Sequence, residues 1–481
     1  MTLSNDLHPA LALIRFGLGA KAGELVHVGT DARGYLMEEV KRRAVPRPLI
    51  AGRRDTSTIL SDVREENKRV QIARLAPVSK DSLPDREGVL LARVMDKAEA
   101  EGKPMPVPAV PNAILPWHLY EIEIAARTDV AVATDASFTE RLVWFWTNHF
   151  AVLSAKRGEV RSTAGAFERE AIRPHVFGLF RDMLLAAETH PSMIYSLDGD
   201  QSIGPTSSVG QRRRKGLNEN LAREILELHT LGVSGGYIQT DVTNLARILT
   251  GWTIAGPGSR LGRPGSTVFD AGLHEPGEHQ VLGKYYPDYG PDQAKDVLVD
   301  LACHPATAQH IAVKLARHFV ADDPPPALIE RLKDRFLETD GDLAEVSMAL
   351  LRAPEAWSAD ARKIRTPQEF VFSALRLTGV TPRAREVVSL LTVLGQKLWD
   401  PPGPDGYSDA TSHWASPVGI KARLEAAVRL AQFANHLEPM SLLETSLGTY
   451  ASLETRQTIA RAESRLQAIA LLLMAPEFQR R

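Results

Sequence analysis

Gly216–Trp252, GLNENLAREILELHTLGVSGGYIQTDVTNLARILTGW, decides the fold class. Advancing about 100° per residue from Leu217, as an α-helix requires, puts Leu217, Leu221, Ile225, Leu228 and Leu231 on one stripe. After a Gly-rich break, a second helical pattern runs from Thr240 to Trp252, with Thr240 as its N-cap. Glu224 falls inside the apolar stripe, with Asn218 and His229 at its edge, so one face offers carboxylate, amide and imidazole. A carboxylate on a core face must be paired, protonated or bound to a cation, because an isolated buried charge is very costly. Glu219, Arg223 and Glu227 stack on another face, in the pattern of a salt-bridge ladder.

The same periodicity recurs on both sides. Trp117–Arg127, Phe138–Leu153, Ala164–Arg173 and Pro174–Glu188 repeat apolar residues at three and four, with Thr189 as the cap of the next helix. Further helices are expected over Pro305–Val320, Asp342–Leu351, Pro367–Thr378, Arg385–Leu398, Val418–Leu437 and Thr455–Met474. Little alternates like a strand. The chain therefore reads as all-α, a multi-helix array broken by Gly/Pro-rich loops at Asp198–Lys215, Ile254–Tyr289 and Asp400–Pro417. Loops of that length inside a compact chain are frequently lids or binding segments. Lys103–Pro116 holds five prolines and is expected to be an extended connector.

At 481 residues the chain exceeds the roughly 250–300 that one core usually serves, which predicts two closely packed subdomains. The divisions expected are a helical lead (1–103), a central unit carrying the site (104–290) and a C-terminal helical unit (291–481). Lys+Arg 57 against Asp+Glu 59 gives a net charge of -2, no global field for a polyanion, and nucleic acid is set aside. Cys303 is the one cysteine, so a Cys-rich zinc site is excluded. The first residues lack a basic n-region, and no apolar run approaches the roughly 18–20 residues that span a bilayer. A cytoplasmic protein without a transmembrane segment is expected, with export on a partner left open.

The candidate chemistry lies between Trp144 and Trp252. LVWFWTNHFAV (Leu142–Val152) is apolar nearly all round and is expected to be a buried helix, which places Asn148 and His149 at depth. Glu170, His175 and His190 follow within reach, and His175 at a helix N-terminus would be kept neutral. From these residues His149, Glu224 and His229 are the catalytic candidates, with Asn148, Glu170, Asn218 and Arg223 in support. A divalent metal would be held by His149, His175, Glu224 and His229, and haem is a variant of the same idea. No spacing matches His-Glu-x-x-His. The bland account is a buried Glu–Arg or Glu–His pair that orients helices. Gln211–Lys215 reads as a solvated basic run, and His274, Glu275, Glu278 and His279 as part of a loop that either closes over a site or caps a subdomain.

Several long segments carry a resemblance. WFWTNHF (144–150), FEREAIRPHVFGLFRDMLLAAETHPSMIYSLD (167–198), the Gly216–Trp252 stretch, HPATAQHIAVKLARHFVADDPPP (304–326) and PPGPDGYSDATSHWASP (401–417) resemble the bacterial domain-of-unknown-function family eighteen hundred, DUF 1800, from about Leu11 to Phe478. The resemblance implies a helical fold and bacterial origin. It brings no substrate, cofactor or catalytic residue. Many relatives look exported, which the absent signal here does not match. The association of the family with a second uncharacterised, phosphatase-like family implies a protein partner. Two readings stand: an enzyme with a His/Glu-lined, metal-dependent or haem site, hydrolytic or redox, and a non-catalytic helical scaffold that binds a protein.

Overall fold

The structure, a computed structural model, describes residues 8–75, 114–214, 216–358 and 363–481. Most of the expected Pro-rich connector and Lys215 lie outside the described residues. Among the described residues, helix follows helix, and the β-structure comprises two two-stranded antiparallel sheets and two isolated bridges, Leu179 with Asp342 and Ile364 with Arg480. The strands are β1 (Trp252–Ile254) with β2 (Thr267–Phe269), and β3 (His279–Val281) with β4 (Lys284–Tyr286). β2, β3 and β4 fall in the stretch expected to be a loop, and β1 begins at Trp252, expected to end a helix, because three-residue strands are too short to show an alternating pattern.

The helices that build the site are α1 (Ile114–Ala133), α2 (Ser137–His149), α3 (Gly158–Phe167), α4 (Phe180–Glu188), α5 (Asn220–Glu224), α6 (Gln239–Leu249), α7 (Pro305–Phe319) and α8 (Pro367–Thr378). In α1 the buried residues Tyr120, Ile124, Arg127, Thr128 and Ala131 follow the three-and-four spacing of one face, and they include an arginine. Every residue of α2 is buried except Asn148. At α8, Thr366 Oγ1 accepts from the Glu369 N–H and the Glu369 carboxylate accepts from the Thr366 N–H, a reciprocal cap, and Gly379 ends the helix at φ 67°. One contiguous apolar cluster runs from Ala10 to Phe478, joining all four described stretches of the chain.

Several expected boundaries shift. Thr189 ends α4, and the next helix is capped by His190, whose Nδ1 accepts from the Ser192 N–H at 3.1 Å. Helix α6 starts at Gln239, so Thr240 lies inside it, and Asp241 supplies the cap by accepting from the Ile238 N–H at 2.9 Å. Helix α2 stops at His149, short of Val152.

The largest departure is at Glu224. The chain turns α-helical only at Asn220 and passes at Ile225–His229 into a π-helical turn. The extra residue in that turn breaks the 100° advance. Leu221–Ala222, Ile225–Leu226 and His229–Thr230 become the buried pairs, and Glu224 is only half-buried. Among the described residues two further π-helical turns occur, Ala12–Phe16 and Glu168–Ile172, and each of the three carries a fully buried ionisable side chain: Arg15, Glu168 and His229.

The segment around Ala12–Ala20 is buried and is held by distant parts of the chain. Arg15 Nη1 donates to the carbonyls of Ala356 and Ser358, each at 2.8 Å. Arg141 Nη1 donates to the Gly17 carbonyl at 2.8 Å, and Arg376 Nε to the Gly19 carbonyl at 2.9 Å. No described helix is long and apolar enough to cross a membrane.

Candidate functional site

Asn148 faces the loop after Trp399. Its Nδ2 donates to the Tyr407 carbonyl at 2.9 Å and its Oδ1 accepts from the Tyr407 N–H at 2.8 Å, so one amide clamps that residue as a neighbouring strand would. The approach is close enough to require Gly406: its φ is +79°, and a Cβ there would stand 2.4 Å from the Asn148 carbonyl oxygen. The clamped segment, with Ser408 and Asp409, forms one wall of a cleft whose other walls are Arg127 of α1, Arg141 and Trp144 of α2, and Trp399. Its open space is about 50 Å³, enough for a few waters or a small ligand.

Four buried charges support the floor. Arg173 grips Glu140 with Nη1 and Nη2 at 2.6 and 2.7 Å and Glu168 with Nη2 and Nε at 2.7 and 3.1 Å. The same carboxylates hold the tryptophans: Trp144 Nε1 donates to Glu140 at 3.0 Å and Trp399 Nε1 to Glu168 at 3.1 Å. Arg127 lies against both rings, 4.7 Å from that of Trp144 and 5.6 Å from that of Trp399. Its Nε stands 3.0 Å from Glu168 Oε2 but out of line for a hydrogen bond, and Nε and Nη1 are buried without an acceptor. Burial pushes the Glu168 carboxyl up, and the Arg127 and Arg173 guanidiniums outweigh it, holding it below the usual range. Burial lowers Arg127, with Glu168 and Glu140 opposing.

A second group adjoins the cleft. Glu369 meets Arg141 Nη2 at 2.6 Å and Arg481 Nε at 2.8 Å. Asp409 Oδ1 accepts from His318 Nδ1 at 2.7 Å, and Arg141 Nε donates to His318 Nε2 at 3.2 Å, which fixes a neutral imidazole between a carboxylate and a guanidinium. Lys363 donates to Asp322 at 2.8 Å. Five cations (Arg141, Arg365, Arg423, Arg481, Lys363) thus face three carboxylates (Glu369, Asp409, Asp322). The surplus is positive. Burial, with Arg481 and Arg365 nearby, pulls Arg141 down to about 9 although Glu369 opposes it.

Burial, only partly offset by Asp409, pushes His318 down to about 4, and burial lowers His310 to about 4 as well. Both titrate near 6.5 in an unfolded chain, so the folded protein holds them neutral where the unfolded chain binds protons. Their contribution is complete above about pH 6.5 and is lost as pH falls toward about 4, with a ceiling of roughly 3 kcal/mol for the well-buried His318. The urea midpoint is expected to drop between pH 7 and 4.5, and by less in His318→Gln; equal drops in the two proteins would remove His318 as the cause.

The residues singled out from sequence separate into two sets. His149 and His229 gather, joined by His310, which the sequence did not single out: the ring centre of His149 is 6.0 Å from that of His229 and 6.1 Å from that of His310. His149 Nε2 bonds the His229 carbonyl at 3.1 Å and His310 Nε2 the Leu228 carbonyl at 3.0 Å. Glu188 Oε1 stands 2.7 Å from His229 Nδ1, an ion-pair distance with poor alignment for a hydrogen bond. Glu224, with no hydrogen bond or ion pair to a described residue, lies within the fields of His229 and Asp405; burial raises its carboxyl. The other set is elsewhere. His175 sits in a single 3-10 turn (Arg173–His175), pulled down by burial with Asp182 as its charged neighbour. Glu170 accepts from the Thr56 N–H at 3.1 Å and pairs with His190 at 3.4 Å. Asn218 Oδ1 accepts from the Asn220 N–H at 3.0 Å and so starts α5. Arg223 bonds Glu219 and Gln239, while Glu219 accepts from Thr243, tying α5 to α6.

The proposed metal set of His149, His175, Glu224 and His229 is therefore not assembled, and no three His, Cys, Asp or Glu side chains among the described residues converge as ligands. The haem variant fits no better, since the His149 ring is packed by Trp146, Phe150 and Phe180 at 4.6 to 6.3 Å. In the long loop His274 bonds the Thr250 carbonyl at 2.8 Å and Glu275 accepts from Thr206, so these side chains fasten the loop down.

Sequence reasoning missed Arg127, Glu140, Arg141, Glu168, Arg173, His318, Glu369 and Asp409. A signal existed in Glu140 and Arg141, a charged pair one turn before Trp144 in a helix buried all round. A family model described as protein of unknown function (DUF1800) matches residues 11–480. No curated protein and no solved structure matches the chain.

Proposed function

The chain belongs to DUF1800, a family of proteins of unknown function, and from that premise we propose that it binds a compact organic anion, a carboxylate or phosphate ester, in the cleft between Trp144 and Trp399. The observation that carries this reading is Arg127, a buried guanidinium whose Nη1 lacks an acceptor and whose Nε meets Glu168 only off-line, at the edge of an open space. A buried donor left unmet costs about 1–3 kcal/mol, and more when charged, so an anion that reaches Arg127 recovers what the fold forgoes. The positive surplus behind Arg141 and Glu369 favours the same sign of ligand. The indole faces flank the guanidinium and give an apolar body something to pack on. Positioning is built in, since each indole N–H is tied to a buried carboxylate.

Calorimetric titration with acetate, oxalate, phosphoglycolate and inorganic phosphate tests the proposal, with tryptophan fluorescence as a second signal. At least one organic anion is expected to bind in the micromolar to millimolar range and to shift the fluorescence. Arg127→Met is expected to weaken it at least tenfold while the protein stays folded, because Glu168 keeps Arg173 as its partner. Equal affinity in that variant, or no binding of any of the four anions to the native protein, overturns the assignment.

A further inference from the structure

We propose that the anion held in the cleft is a 2-oxo or 2-hydroxy acid, with its carboxylate on Arg127 and the oxygen of the adjoining carbon accepting a hydrogen bond from Gln396 Nε2. This inference rests on the anion-binding reading above and names the class of acid within it.

Gln396 stands where the helix Ala384–Val393 ends. Its N–H returns to the Leu391 carbonyl at 2.9 Å and that of Gly395 to the Thr392 carbonyl at 3.1 Å, with Gly395 at φ +82°, a Schellman turn that fixes the backbone. The side chain is fixed as well. Its Oε1 accepts from the Gln368 N–H at 2.8 Å, one of the N–H groups that the first turn of α8 cannot satisfy internally. That bond needs an acceptor, so it decides which end of the amide is oxygen, and the NH2 is the end left over. Gln396 is 6% exposed and lines the cleft, and its Nε2 has no acceptor among the described residues.

The other buried polar side chains of the cleft bond or pair within the protein. Asn148 is spent at both ends on Tyr407, Thr147 Oγ1 donates to Glu168 at 3.3 Å, and each indole N–H goes to a carboxylate. Arg141 donates to Gly17 and His318 and meets Glu369, and Asp409 takes His318. Gln368 and Ser408 are open enough for water to serve them. Two buried donors remain, the Arg127 guanidinium and the Gln396 amide, and no carboxylate on the cleft wall is left without a cation or an imidazole.

A ligand that meets both donors must offer acceptors at two places. A charge suits Arg127. A neutral amide offsets the desolvation of a second charge poorly, so a keto or hydroxyl oxygen suits Gln396 better than a second carboxylate does. The open space that both residues line, about 50 Å³, is room for roughly four waters at about 10–15 Å³ each, which keeps the two acceptors on neighbouring carbons.

Calorimetric titration with propionate, pyruvate and lactate at pH 7 tests the proposal, because the three share one carbon skeleton and differ only at the second carbon. One neutral hydrogen bond changes an affinity about three- to tenfold. Pyruvate or lactate is expected to bind the native protein about threefold or more tighter than propionate. In Gln396→Glu, which keeps an acceptor for the Gln368 N–H and removes the donor, that preference is expected to disappear. Gln396→Met, checked for an unchanged circular dichroism spectrum, is expected to lose it too, without adding a charge. Equal affinities of the three acids for the native protein overturn the class, and so does a preference that survives both substitutions. The two readings fail separately. If propionate binds and Arg127→Met weakens it while no acid is preferred, anion binding stands and the 2-oxo or 2-hydroxy class falls. If none of the three acids binds, the class falls, and anion binding falls with it only when acetate, oxalate, phosphoglycolate and phosphate fail as well.

Discussion

Arg173→Met is expected to lower stability by roughly 3–5 kcal/mol, the cost of breaking a buried ion-pair group by removing one member. Arg173 satisfies Glu140 and Glu168 together, and Glu140 is wholly buried. Methionine fills much of the volume and returns none of the four hydrogen bonds to those carboxylates. The carboxylates, left with Arg127 at one awkward angle, would be driven to take up protons. Stability of the variant should therefore recover partly as pH falls from 7 to 5, opposite in sign to the histidine effect in the native protein. The urea midpoint at both pH values is the measurement. A midpoint matching that of the native protein would mean that the four charges are solvated, and the cleft floor would lose its rigid support.

Glu369→Gln is expected to cost a similar roughly 3–5 kcal/mol for a different reason. The amide keeps the shape and retains a carbonyl oxygen for the Thr366 N–H, so the start of α8 is preserved. What disappears is the charge between Arg141 and Arg481, leaving five cations and two carboxylates. Burial and the guanidiniums act in opposite directions on Glu369, and the guanidiniums win, holding it below the usual carboxylate range. Added sulfate or phosphate should therefore restore more stability to Glu369→Gln than to the native protein. Equal effects of salt on both would show that Glu369 acts through the helix cap alone.

The helical class was legible because apolar spacing of three and four survives in α1, α4 and α7, where the buried faces follow it. Glu224 shows where that reading ends. A wheel assumes one repeat throughout, and the π-helical turn at Ile225–His229 changes the repeat beneath the very residues being placed. His149 and His229 do meet, while Asn148 turns to the Tyr407 loop, and the partners of all three come from Glu188, His310 and Tyr407, which no local pattern links to them. The cleft was hidden for the same reason. Arg127 and Arg173 look like surface residues of amphipathic helices, and only the tertiary arrangement of Glu140 and Glu168 around them brings them inside.

The arginines that hold the Ala12–Ala20 segment have a bearing on biosynthesis. The bonds from Arg15 to Ala356 and from Arg376 to Gly19 span 341 and 357 residues. At roughly 5–20 residues per second, a ribosome needs some tens of seconds to supply the second partner after the first has emerged. For that interval an apolar stretch with a charge inside it has no core to enter, and contacts of such long separation close late in folding. The Ala12–Ala20 segment is thus expected to stay open to attack until its partners have been made, and slowing translation between residues 20 and 356 should lengthen its exposure to proteolysis.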